Sequence, residues 1–192
     1  HKHLSSLFKD DIGTLKRVYL TVKEGKNNDD HNSATLSKIL ELDPEFIVEY
    51  IDWIYAPKQE GSRWHHYGQG YSVLWRHQNY REIFTRIIEL VYKKEQNAHW
   101  YTGLRQFFMS DEEKRLDIDI QQKQEELLME LINTKHTDID FIEFLFEVIV
   151  YFPQERRSRL IFTFLQHNKN FVDFQKLQFE SGSMSWSGSA VP

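Results

Sequence analysis

Residues 138–152 read D-I-D-F-I-E-F-L-F-E-V-I-V-Y-F, and how this run is taken decides the fold. Ile139, Phe141, Ile142, Phe144, Leu145, Phe146, Val148 and Ile149 leave almost no polar side, and the β-branched content alone would fit a buried strand. Two features favour a helix instead. The run is long for a strand, and Glu143 and Glu147 fall on one helical line. A helix that is apolar nearly all round is enclosed by neighbours on several sides, so the flanking sequence has to supply helices.

It does so on both sides. Pro153 opens a following helix with Leu160, Ile161, Phe164 and Leu165 inward and Arg156, Arg157 and Arg159 outward or on the flank. Upstream, Ser110 and Glu113 resemble a capping box at the head of a long charged helix reaching about Asn133. Its apolar positions are Leu116, Ile120, Leu127, Leu128, Leu131 and Ile132. Lys123 and Gln124 interrupt that stripe, so its first half is expected to be exposed.

The remainder of the chain follows the same period. Ile12, Leu15, Val18, Tyr19 and Val22 form a stripe that Gly25 is placed to end, and Leu36, Ile39 and Leu40 mark a second helix from about Ser33 to Leu42. Asp43-Pro44-Glu45 reads as an N-cap, a proline at the first helical position and an acid at the positive helix end. The helix it opens carries Phe46, Ile47, Tyr50, Ile51, Trp53 and Ile54. Ser72–His77 predicts a short turn. Asn79 with Glu82 begins a strong helix to about Glu95, with Tyr80, Ile83, Phe84, Ile87, Ile88 and Val91 inward, and an aromatic-rich helix is expected over His99–Phe108. Phe171–Leu177 reads as one further short turn. The fold class is therefore all-α: antiparallel helical pairs, either an α-solenoid of HEAT-like kind or an irregular helical array. One domain is expected over residues 1–180, with 181–192 a Ser/Gly-rich linker or tail. The chain opens on His1 and closes on Ala190-Val191-Pro192, which suggests a fragment of a longer protein.

Composition narrows the chemistry. The chain is 40% hydrophobic and 15% aromatic, enough for a packed core, and its net charge of −5 does not suit a protein that grips phosphate backbones, so nucleic acid is not the expected partner. There are no cysteines, which excludes disulfides, thiolate metal sites and a cysteine nucleophile and agrees with a cytoplasmic location. No apolar run approaches the roughly 20 residues of a membrane span.

Candidate sites are few. The break at Ala56–Gly70, continuing into Tyr71 and Trp75, gathers Trp64, His65, His66, Tyr67, Tyr71 and Trp75. Aromatic side chains in a long surface segment are material for a protein contact, and these six are the candidate partner-binding residues. The competing reading has Tyr71 and Trp75 anchoring the segment to the core. Adjacent histidines point apart, and the zinc-protease spacing is absent, so no metal site and no cofactor is expected. Asp117/Asp119 diverge on a helix, and Asp138/Asp140 sit where a helix start favours acids. Arg159 and His167 are turned about 80° apart around their helix, which does not suit the paired Arg and His of helical ribonucleases. Gly68-Gln69-Gly70 lacks the rest of a phosphate-binding loop.

Leu42–Ile51, L-D-P-E-F-I-V-E-Y-I, within Ser33–Tyr55, together with F-P-Q-E-R-R at 152–157 and S-W-S-G-S-A-V-P at 185–192, resembles the helical C-terminal region of bacterial STAND-type NTPases (signal-transducing ATPases with numerous domains). In that family a central NTPase drives oligomerisation, an N-terminal effector does damage and a C-terminal helical array senses the trigger, often in antiviral defence. The resemblance rests on turn and cap patterns, and no site residue carries over from it. It implies a non-catalytic recognition or scaffolding region of a larger bacterial protein, with a protein partner and oligomerisation through the full-length chain. The alternative is a small helical metal-dependent hydrolase or nuclease using His65, His66 and nearby acids.

Overall fold

The computed structural model describes residues 8, 10–24, 31–56, 71–95, 103–108 and 117–169. Among them the regular structure is entirely helical: α1 Ile12–Glu24, α2 His31–Leu42, α3 Phe46–Ile54, α4 Ser72–Trp75, α5 Tyr80–Glu95, α6 Arg105–Phe108, α7 Ile118–Lys135, α8 Ile139–Ile149 and α9 Gln154–His167. The all-α expectation therefore holds. The expected helix over His99–Phe108 contracts to α6, its first residues lying outside the described ones, as do Phe171–Leu177, the Ser110 cap and the boundary at 180/181. No described helix is long and apolar enough to cross a membrane. The chain forms two compact units, His1–Gln124 and Glu125–Pro192, and the division falls inside α7.

In the first unit α1 packs on α2, α2 on α3 and α4, and α3 on α5. Tyr19 of α1 meets Phe46 of α3 edge-on at 6.5 Å and Tyr50 of α3 at 5.9 Å, so the apolar stripes of α1 and α3 share one aromatic centre. The turn between α2 and α3 departs from the capping expectation. Asp43 does not cap α3: its carboxylate is taken by Lys16 of α1, and Glu45 pairs with Arg86 of α5. The turn closes through backbone bonds from Phe46 N–H to Asp43 O and from Ile47 N–H to Pro44 O, both 3.2 Å, and the helix proper starts at Phe46.

The ion pairs also fix a direction. Glu45 meets Arg86, and Asp52 meets Lys94 at 2.7 Å, so advancing along α3 advances along α5. These two neighbours run parallel, and the intervening chain carries the crossover.

The second unit repeats the arrangement with a shorter crossover. Glu125 of α7 binds Arg159 of α9, and Asn133 of α7 binds His167, both across 34 positions. So α7 and α9 are parallel too, and α8 brings the chain back between them. This explains why 138–152 has only a narrow polar line, Asp140, Glu143 and Glu147. Phe141, Ile142, Phe144, Leu145, Phe146, Val148 and Ile149 are all buried, and Phe146 meets Phe164 of α9 edge-on at 6.0 Å. Asp138 caps α8 by accepting the Phe141 N–H at 3.1 Å. In each unit these side-chain contacts tie second-neighbour helices that run parallel. The separations differ, 41 for Glu45–Arg86 against 34 for Glu125–Arg159. The two units therefore do not share one sequence spacing.

Candidate functional site

Tyr71 and Trp75 are 3% and 1% exposed, which places both in the core and not on a contact surface. The physical reason is that Trp75 ties several elements of its unit together. Its ring stacks on Phe84 of α5 at 3.5 Å and meets Phe108 of α6 edge-on at 5.3 Å. Its Nε1 donates to the Phe107 carbonyl at 3.0 Å, and Lys123 of α7 donates to the Trp75 carbonyl at 3.2 Å. Tyr71 lies against Phe107, with ring centroids 4.4 Å apart. The anchoring alternative thus describes these two residues. Trp64, His65, His66 and Tyr67 lie outside the described residues.

The carboxylate pairs have local roles. Asp117 accepts the Asp119 N–H at 3.1 Å, and Asp119 pairs with Lys123 at 2.7 Å. Asp138 is the α8 cap. Among the described residues no group of three or more His, Asp or Glu could hold a metal ion.

Three polar clusters escaped the sequence reading. Glu95, the last residue of α5, is 1% exposed. Its Oε1 accepts from the Tyr55 hydroxyl and from the Gly103 N–H, the latter at 3.0 Å. A Cβ on Gly103 would overlap both the Tyr55 hydroxyl and the Glu95 carboxylate, so the nook requires glycine. Burial, then the neighbouring carboxylate, pushes the Tyr55 hydroxyl well above its usual value and keeps it a neutral donor. The spacing Phe84, Ile88, Val91, Glu95 runs down the buried stripe of α5 and was the available signal.

The second cluster holds Arg156, expected outward or on the flank and found 7% exposed. Its guanidinium lies over the Phe152 ring at 4.2 Å, and its Nε is 3.5 Å from Glu125 Oε2. Arg159 binds the same carboxylate through Nε and, at 2.9 Å, Nη2. The Arg159 hydrogen bond, opposed by partial burial, holds the Glu125 carboxyl below its usual range, and burial lowers the Arg156 guanidinium from its ordinary value. The third is Gln124, read as a break in the stripe and found buried, its Nε2 donating to the Phe108 carbonyl at 2.9 Å.

One surface stands out chemically. On α9 the buried residues Arg156, Leu160 and Phe164 form one line. The opposite line is Glu155, Ser158, Arg159, Phe162 and Gln166, all exposed. Phe162 sits in its middle, 62% exposed, one turn from Arg159. A phenylalanine presented to solvent between polar residues does nothing for the core. Leu42, Ile118 and Tyr151 are likewise exposed, and Phe162 is the one flanked by an arginine on its own helix face. Its signal in the sequence was its register, two positions from each of two inward residues. Comparison of the chain with protein-family models, curated proteins and solved structures finds no match.

Proposed function

We propose that this chain is a non-catalytic helical recognition or scaffolding region of a larger bacterial protein, acting through a protein partner. The carrying observation is the outer line of α9, where Phe162 and Arg159 stand exposed on a helix whose other side is locked into the core. Parallel helices held by buried clusters supply a rigid support, and a rigid support lowers the entropy cost of binding. The sensor region of a STAND-type NTPase is the context we favour. There, partner binding at the helical array would release the nucleotide-driven assembly of the full-length protein.

Site-specific photo-crosslinking tests the reading. A photoreactive phenylalanine analogue at position 162 of the full-length protein, expressed in its native host, should form one discrete protein adduct under triggering conditions. The same analogue at Glu126, exposed on α7, should not form it. Equal adducts from both positions, or none at 162 while the full-length protein responds to its trigger, would remove the proposal.

A further inference from the structure

The exposed line around Phe162 has the same spacing on both sides of the ring. Glu155, Ser158, Phe162, Gln166 and Lys169 follow one another at steps of three, four, four and three, and all five are exposed. Such steps keep the first four on one side of a helix of 3.6 residues per turn. Those four belong to α9, and Lys169 follows two residues after its last one, His167. At 1.5 Å per residue the acid and the base stand about 10 Å to either side of the phenylalanine.

That order makes the face complementary to itself. Let a second α9 lie antiparallel on the first, with a two-fold axis through Phe162. Each residue then meets the one at the opposite offset, as an isologous contact requires. Glu155 meets Lys169 of the second copy, Ser158 meets Gln166, and both meetings occur twice. The two Phe162 rings meet at the centre and shield each other from water. A parallel copy would set Glu155 on Glu155 and Lys169 on Lys169, which like charge opposes. Arg159 does not resist the approach, because its charge is matched by Glu125 of its own unit.

The area sets the strength. α9 has 14 residues, so each copy offers a strip of about 21 by 10 Å. One such pair falls well short of the roughly 1,200 Å² at which stable interfaces begin. Free chains therefore pair weakly, and the contact gains force where other parts of an assembly hold copies together.

We infer that the Phe162 face of α9 pairs antiparallel with the same face of a second copy of this chain, which names the partner in the recognition reading of Phe162 and depends on that reading.

The test is sedimentation velocity of the whole chain across the micromolar to millimolar range. The unaltered chain should pass from monomer to dimer and no further, since a two-fold contact closes on itself. Phe162→Ala should remove the dimer over that range. At low salt, Glu155→Lys and Lys169→Glu should each weaken it roughly tenfold, because both end pairs become like-charged at once. An equimolar mixture of these two variants should recover it as a heterodimer, in which each end again joins unlike charges. A chain monomeric throughout, a dimer that survives Phe162→Ala, or a mixture no better than either variant alone would overturn the inference. The photoreactive residue at 162 distinguishes this failure from that of the recognition reading. An adduct of two copies supports both, an adduct with a different protein overturns the self-pairing alone, and no adduct removes both.

Discussion

Replacing Trp75 separates an anchoring residue from a binding residue. A tryptophan of this kind buries about 150–250 Å². At about 25 cal/mol per Å² that is worth roughly 4–6 kcal/mol, reduced by a tenth to two-fifths because the unfolded chain already hides part of it. Trp75→Ala also orphans the Phe107 carbonyl, which accepts from Nε1 at 3.0 Å, for about 1–3 kcal/mol more. The total, about 3–9 kcal/mol, is comparable to the whole stability of a typical domain. Trp75→Phe keeps a ring on Phe84 and loses the hydrogen bond, so it should cost about 1–3 kcal/mol. With two compact units a single melting curve does not report one equilibrium. Hydrogen exchange read by mass spectrometry, peptide by peptide through urea, is therefore the assay. Trp75→Ala should remove protection from α4, α5 and α6 peptides, and Trp75→Phe should lower it by an intermediate amount. Protection in those helices unchanged to within about 1 kcal/mol would refute the packing argument.

Other perturbations act on the buried polar clusters. Gly103→Ala forces a methyl against Tyr55 and Glu95 and should destabilise the first unit by about 1–3 kcal/mol in the same exchange assay. The Glu125 carboxyl titrates below its usual value in the folded chain, so its contribution is present above about pH 4.3, the unfolded value, and is lost as pH falls through the folded one. A urea series from pH 6 to 3 should show the second unit weakening with acid, and Glu125→Gln should flatten that dependence. Arg159 is half exposed, and Arg159→Ala should cost only about 0–1 kcal/mol by urea melting. Arg156→Ala, which strips the cation from above Phe152, should cost more than Arg159→Ala in that same melt.

The fold was legible because burial follows periodicity. The near-absence of a polar side in 138–152 announced a helix enclosed on most of its surface, and α8 is buried at seven of its eleven positions. The chain direction of those neighbours was not legible. Nothing local in Glu45 or Arg86 says that they meet, and the parallel pairing emerges only from such distant ion pairs. The polar clusters were missed for one shared reason. Glu95, Gln124 and Arg156 each occupy an inward position of their helix, where a polar residue type disguises the register. Phe162 is the converse, an apolar type at an outward register. In both cases the period carried the information and residue type concealed it. The aromatic run into Trp75 misled differently, since chain proximity to a long break does not imply exposure.

The affinity of the full-length protein for its crosslinked partner, compared between unaltered chain and Phe162→Ala, bears most directly on the recognition reading. An exposed phenylalanine at a binding centre should cost at least about 2 kcal/mol on truncation, roughly a 30-fold weaker Kd, with the melt of the second unit unchanged because Phe162 contributes nothing to its core. An unchanged Kd, or a weaker one accompanied by loss of that unit's fold, would contradict it.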